Sequence, residues 1–150
     1  MLDHREVGTR IATFDTHVER SRLRSFADAI GEERDIYRDV DAARAHGYPD
    51  LPIPPTFLAG LFTEYCVESG WFMNRGIDPR ALLHGEQRFT YETMAFAGEE
   101  LHGHVDVVDV SVKKNGELTL VTFRASIAKG NETVVTMDQT VVVQSRAKYQ

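Results

Sequence analysis

The spacing of apolar residues changes once along this chain, near residue 80. Before that point they recur at three- and four-residue intervals; after it they alternate. Val18, Leu23, Phe26, Ala27 and Ile30 make a stripe close to helical period, and Gly31 ends it. Thr16-His17-Val18-Glu19 fits a capping box at the start of that helix, with Thr16 accepting from the Glu19 N–H while Glu19 reaches back. Asp39 suits the N-cap of a short helix through Ala42, Ala43 and Ala45, with Gly47 as its stop. Pro49, Pro52, Pro54 and Pro55 then force an extended loop, and Pro55 is placed to begin a third helix because its missing N–H costs nothing there. From Thr56 to about Phe72 the apolar positions Phe57, Leu58, Leu61, Phe62, Tyr65 and Cys66 are read as covering most of the circumference. A helix of that kind is expected to be surrounded by protein.

The second half predicts strands. "LLHGEQRFTYE" sets Leu83, Gly85, Gln87, Phe89 and Tyr91 on one face and Leu82, His84, Glu86, Arg88 and Thr90 on the other. In "LHGHVDVVDVSV" the apolar phase slips between Val107 and Val108, which predicts a bulge. Asn115-Gly116 suits a type I′ hairpin turn, and two further strands meet at Gly130-Asn131. Four long antiparallel strands result, or five if Thr9 to Phe14 pairs as well. The fold class expected is α+β: an antiparallel β-sheet wrapped around a long central α-helix, the hot-dog arrangement, over one domain spanning 1–150. Periodicity alone also permits other helix-plus-sheet folds, cystatin-like ones among them.

Charge narrows the partners. A net charge of −6 with no Lys/Arg cluster argues against nucleic acid. The longest apolar stretch, Phe57 to Val67, is broken by Thr63 and Glu64 and is too short to span a bilayer. The lone cysteine, Cys66, cannot close an internal disulfide and sits in an apolar run, where a buried, inert thiol is expected. No charged n-region followed by an apolar h-region opens the chain. These features together predict a reduced cytoplasmic protein with neither a membrane nor a nucleic-acid partner.

Several segments carry a resemblance. "VERSRLRSFADAIGE", "DVDAARAHGY", "PIPPTFLAG", "LLHGEQRFTYE" and "GEELHGHVDVVDVSVKKNGELTLVTFRASI" occur in the order seen in MaoC-like dehydratases. The chain most resembles the N-terminal-type, FAS1-like or HadA-like domains of that family, from about Val7 to Val143. The most specific pieces are "PPTF" before the third helix and "HGEQ.F.Y" after it. The resemblance implies a hot-dog fold that hydrates or dehydrates acyl thioesters of coenzyme A or acyl carrier protein. It implies no further cofactor and no metal, and it implies a homodimer or a heterodimer with another hot-dog chain.

Removing water from a 3-hydroxyacyl thioester needs a base for the C2 proton, an acid for the departing hydroxyl and donors for charge on the thioester oxygen. Competent family members place the first two in a "GDxNPxH" loop. Laid on this chain, Gly31 matches the Gly, Glu32 the Asp, Arg34 the Asn, Asp35 the Pro and Tyr37 the His. Glu32 and Tyr37 thus hold the positions of the catalytic dyad with altered chemistry, since at neutral pH a phenol donates a hydrogen bond and is a poor base. Two readings stay open: a degenerate dyad completed by a partner, or a solvated charged loop. Pro55, Thr56 and Phe57 lead into the third helix, whose first N–H groups would meet the thioester carbonyl. Gly85, Gln87 and Tyr91 would line the acyl channel.

Other groups compete. His84 and Glu86, two apart on a strand, would share a face as an acid/base pair, with a surface or subunit-interface polar cluster the plainer reading. His102 and His104 make a metal pair without a third ligand, and exposed strand histidines are the plainer reading. Glu64 on the third helix would serve a thioesterase, since a carboxylate on a buried helix must be paired or near a cavity.

Overall fold

The change of period near residue 80 becomes, in the structure, a division between helices on one side and a single sheet on the other. The computed structural model describes residues 2–145. Its strands are β1 (Arg10–His17), β2 (Leu82–Tyr91), β3 (Glu100–Lys113), β4 (Leu118–Lys129) and β5 (Glu132–Gln144). Its helices are α1 (Arg20–Ile30), α2 (Val40–Ala45) and α3 (Phe57–Glu68). All strand pairs are antiparallel, in the order β1-β3-β4-β5-β2. With α3 packed on the inner face, this is the α+β hot-dog fold.

Local chemistry set most of these elements. The β3–β4 register shifts between Val107 and Asp109, the bulge that the apolar phase slip implied. Asn115 (φ 53°, ψ 36°) and Gly116 (φ 92°) take the two positive angles of a primed turn, and Glu117 N–H closes it on Lys114 C=O at 3.1 Å. Lys129 pairs with Glu132 across Gly130 and Asn131, a two-residue link. α1 ends at Gly31 with φ 68°, and Asp39 caps α2 by accepting from Ala42 N–H at 2.8 Å. β1 pairs with β3 over its length, so the fifth strand forms.

Four expectations need correction. The capping box at Thr16 does not form: Thr16 pairs with Leu101 in the sheet, and α1 starts only at Arg20. Strand pairing outcompeted a local capping motif. α3 is twelve residues, shorter than the run to Phe72, because Gly70 turns left-handed (φ 63°) and Ser69 Oγ donates to Cys66 C=O at 2.8 Å. Its apolar residues also mark one face. Phe57, Leu58, Leu61, Phe62 and Cys66 are buried, while Gly60, Thr63, Glu64 and Val67 are exposed, so α3 is covered by the sheet and, at Phe57, by α1, and is open on its remaining side. Finally, a bulge at Gly85 breaks the alternation of β2. His84 pairs with the buried Val141 and Glu86 with Thr140 on the other face, so the two do not share a side.

Aromatic rings join the two layers. Phe62 meets Phe123 of β4 at 6.1 Å, and Trp71 and Phe72 lie edge-on to Phe123 at 5.4 and 5.6 Å. Tyr65 stacks on Phe14 at 4.1 Å over Gly103, the residue that pairs with Phe14 across β1 and β3.

Candidate functional site

Three stretches far apart in sequence meet at the N-terminal end of α3. The proline loop is laddered to the segment after β2: Ile53 N–H donates to Ala95 C=O, and Ala97 N–H to Leu51 C=O, both at 2.9 Å. Tyr91, the last residue of β2, donates its phenol hydrogen to Pro55 C=O and so ties that strand to the start of α3. The single turn Asp35–Tyr37 brings in Tyr37, which is buried. Between them lies a cavity of about 270 Å³ lined by Tyr37, Ile53, Pro55, Leu58, Tyr91 and Val134, among others. Its walls are mostly apolar, with Tyr37, Tyr91, Glu92 and Thr93 as the polar members, the character of a site for a hydrocarbon chain bearing a polar end. Burial pushes the Tyr91 hydroxyl up to about 12, so at neutral pH it remains a donor.

The loop after Gly31 is locked by arginines. Glu32 accepts from Arg34 three times, from the backbone N–H at 3.0 Å, Nε at 2.9 Å and Nη2 at 2.6 Å. The Arg34 guanidinium bonds hold the Glu32 carboxyl down at about 2. The same guanidinium lies 5.0 Å over the Tyr37 ring. Arg38 pairs with Asp28, donates to Glu32 C=O at 2.8 Å, and through its own C=O accepts from Arg24 Nε at 2.7 Å. Glu32 is therefore an ionised carboxylate with both oxygens engaged, outside the cavity lining and linked to Tyr37 through Arg34. A carboxylate that acidic is a weak base at neutral pH.

The structure brings Tyr37, Pro55 and Tyr91 together and leaves the other predicted positions elsewhere. Thr56 is the N-cap of α3 without a side-chain capping bond, and Phe57 N–H is taken by Pro54 C=O at 2.9 Å. The Phe57 ring turns away to Phe26 (5.3 Å) and the Arg22 guanidinium (5.7 Å), in a groove between α1 and α3. Gly85 sits six residues before Tyr91, roughly 20 Å along the strand, at the β2 bulge. Gln87 pairs directly across from Gln139 of β5. Glu64 is on the exposed side of α3, bound to Arg22 at 2.8 Å, and lines no cavity described here. His102 is exposed, and His104 lies 3.6 Å from Asp106. Among the described residues no group of three or more His, Cys, Asp or Glu is arranged to hold a metal ion.

Sequence reasoning missed Ile53, Leu58 and Val134 as cavity walls, and Gln139 altogether. The ladder between residues 51–53 and 95–97 places Ile53, the Glu92 and Thr93 N–H groups bond Val134 C=O, and Leu58 comes from α3, contacts too long-ranged for any local pattern to announce. A wider hollow of about 460 Å³ lies at the other end of the sheet, near Ile77 and Val143. None of the predicted site residues lines it, and its Arg75 is engaged by Glu6 at 2.8 Å and by the Trp71 ring at 4.3 Å.

Comparison with known proteins follows the same line. Residues 5–137 match the family described as FAS1-like, dehydratase domain region. A UPF0336 protein of Leifsonia xyli subsp. xyli is 40% identical over 128 residues, which is 84% of each chain. Among solved structures, the C-terminally truncated HadBC (3R-hydroxyacyl-ACP dehydratase) complex of Mycobacterium tuberculosis superposes with a TM-score of 0.77 at 24% identity. The match covers 91% of this chain and 96% of that one. A MaoC-like dehydratase from Rhodospirillum rubrum gives 0.72 at 21% identity, with 93% of each chain covered. At these identities the structural likeness establishes a common fold.

Proposed function

The chain belongs to the FAS1-like dehydratase-region family, and from that membership we propose that it is the substrate-holding subunit of a hot-dog assembly that hydrates or dehydrates 3-hydroxyacyl thioesters. The observation that carries the reading is the apolar cavity where Tyr37, Pro55 and Tyr91 converge, set beside a loop whose carboxylate is committed to Arg34. The cavity takes the acyl chain of a coenzyme A or carrier-protein thioester, with no further cofactor. Removal of the C2 proton and protonation of the C3 hydroxyl as it leaves as water fall to an acid/base pair on a second hot-dog chain. Glu32, held down by Arg34, and Tyr37, a phenol, are poor substitutes for that pair.

The free edge of β2 is where that second chain would join. It is a ten-residue edge strand with Leu83 48% and Tyr91 43% exposed, and it ends at the cavity. A long edge of this kind invites strand addition. The HadBC structure is itself a complex of two chains.

The test is hydration of crotonyl-CoA and longer enoyl-CoA thioesters by the chain alone and by the chain mixed with hot-dog partners that carry an intact Asp/His loop. Activity is expected only in a pairing, with Glu32→Ala costing no more than about twofold in kcat. Hydration in no pairing would remove the reading. A loss of a hundredfold or more from Glu32→Ala would return the chemistry to this chain.

A further inference from the structure

A second cavity lies farther along the same side of α3. It measures about 180 Å³ and is lined by Phe62 and Cys66 of α3, Leu82 of β2, Phe123 of β4, and Val141 and Gln139 of β5, with the exposed His84 at its mouth. Both cavities are bounded by α3 and by the β2–β5 side of the sheet. Leu58 marks the first and Cys66 the second, about 12 Å apart along the axis at ~1.5 Å per residue; the two share no lining residue, and a chain reaching both needs roughly ten extended carbons and passage beside the buried Phe62. At ~30 Å³ for each water-sized group the second cavity has room for roughly six of them.

One feature of this slot does not fit a plain hydrocarbon. Gln139 is 8% exposed, and its Oε1 is buried with no hydrogen-bond donor among the described residues. Its neighbours along the wall are apolar, and the polar groups that share the slot are otherwise engaged or exposed: Thr63 Oγ1 donates to Ala59 C=O at 3.0 Å, and His84 faces solvent. Burial pushes the Cys66 thiol up to about 12, leaving it a neutral apolar wall. Gln87, directly opposite Gln139, turns its Nε2 to Asp138 C=O at 3.5 Å and supplies no bond. A buried amide without a partner is costly, and a ligand group that satisfies it recovers that cost. Rotation of the amide offers either a donor or an acceptor.

We infer that this slot receives the far end of an acyl chain and that Gln139 selects chains carrying a polar group there, a hydroxyl or keto oxygen rather than a methyl terminus. This rests on the acyl-thioester reading above. The selectivity has a general form: a site built around a buried polar group rejects an analogue that leaves that group unpaired.

Trp71, the only tryptophan, reports on the slot, since its ring lies 4.9 Å from Phe72 and 5.4 Å from Phe123, both of which line it. Titration of Trp71 fluorescence with decanoyl-CoA and 10-hydroxydecanoyl-CoA should show the hydroxylated chain binding roughly tenfold tighter. Gln139→Leu should abolish or reverse that preference. Leu82→Phe, which narrows the slot without adding a second tryptophan, should weaken both chains alike and leave butanoyl-CoA unaffected. Equal binding of the two thioesters by the wild-type protein, or a preference that survives Gln139→Leu, overturns the assignment while leaving thioester binding in place. If neither thioester binds, free 1-hexanol separates the two ideas. A saturable Trp71 response to 1-hexanol that Gln139→Leu weakens keeps the slot and retires the thioester reading; no response to 1-hexanol removes both.

Discussion

A single carboxylate shows how one neighbour changes what a residue can do. The resemblance aligns Glu32 with the acid/base Asp of the dehydratase loop, and Arg34 two residues on takes both of its oxygens. Its folded-state value near 2 lies below the ordinary 4.5, so the bond stabilises the fold fully above pH 4.5, and the contribution fades as pH falls toward 2. The expected outcome is a melting-temperature gap between wild type and Glu32→Gln that is constant from pH 7 to about 5 and closes below it. A gap that widens on acidification would contradict the pairing. Gln139 poses the opposite case, a polar group with too few partners. Gln139→Met removes an unpaired buried acceptor at similar volume and should stabilise the ligand-free protein by about 1 kcal/mol in urea unfolding. Both positions were unequally legible. Glu32 is visible because its loop resembles a known one and Arg34 is adjacent in sequence. Gln139 sits in an alternating strand, "TVVTMDQTVVV", where inner and outer faces cannot be told apart until the bulges of β4–β5 and β2–β5 fix the register.

Elements were readable where their signals were local. The turn at Asn115-Gly116, the αL end of α1 and the Asp39 cap each need only a few consecutive residues, and each formed. Elements decided by tertiary contact were not. Thr16 to Glu19 reads as a capping box, but the gain from pairing β1 with β3 drew Thr16 and His17 into the sheet. The β2 bulge moved His84 and Glu86 to opposite faces, and nothing in the alternation of that strand announced it. Gly103 illustrates a constraint that only packing reveals. A Cβ placed there would lie 2.5 Å from Phe14 Cζ and 2.9 Å from Ser126 C=O, so the Phe14 ring and its stack with Tyr65 depend on the absent side chain. Gly103→Val is therefore expected to destabilise the protein by roughly 1–3 kcal/mol through overpacking. Because Phe14 is the main obstruction, Phe14→Ala combined with Gly103→Val should cost clearly less than the sum of the two, measured in a double-mutant cycle by urea unfolding. Additive costs would show that the backbone oxygen of Ser126, not the ring, sets the limit.

On the scale of the whole molecule, helix coverage and sheet edge point to the same unfinished side. α3 is covered by the sheet and, at Phe57, by α1, leaving Val67 63% exposed, and β2 offers a ten-residue edge with Leu83 and Tyr91 uncovered. The sequence foretold a helix enclosed on all sides, and the shortfall is what a second subunit would supply. Leu83 tests this away from the Tyr37–Tyr91 cavity, because it lies eight residues from Tyr91, about 26 Å along the strand, although it borders the second cavity beside His84. A lysine on an edge strand is a strong deterrent to strand addition, since pairing would bring its charge into the new interface. Leu83→Lys is expected to keep the circular dichroism spectrum and melting behaviour of the isolated chain. In mixtures with a catalytic hot-dog partner it should shift the light-scattering mass from a two-chain species to single chains. If the partner supplies the proton-transfer groups, hydration of crotonyl-CoA, too short to reach the second cavity, should fall with the two-chain fraction and recover at high partner concentration, with its KM unchanged in whatever assembly remains. Intact assembly in Leu83→Lys would mean that the second chain approaches along another surface, such as the exposed face of α3, and the edge of β2 would then need a different explanation.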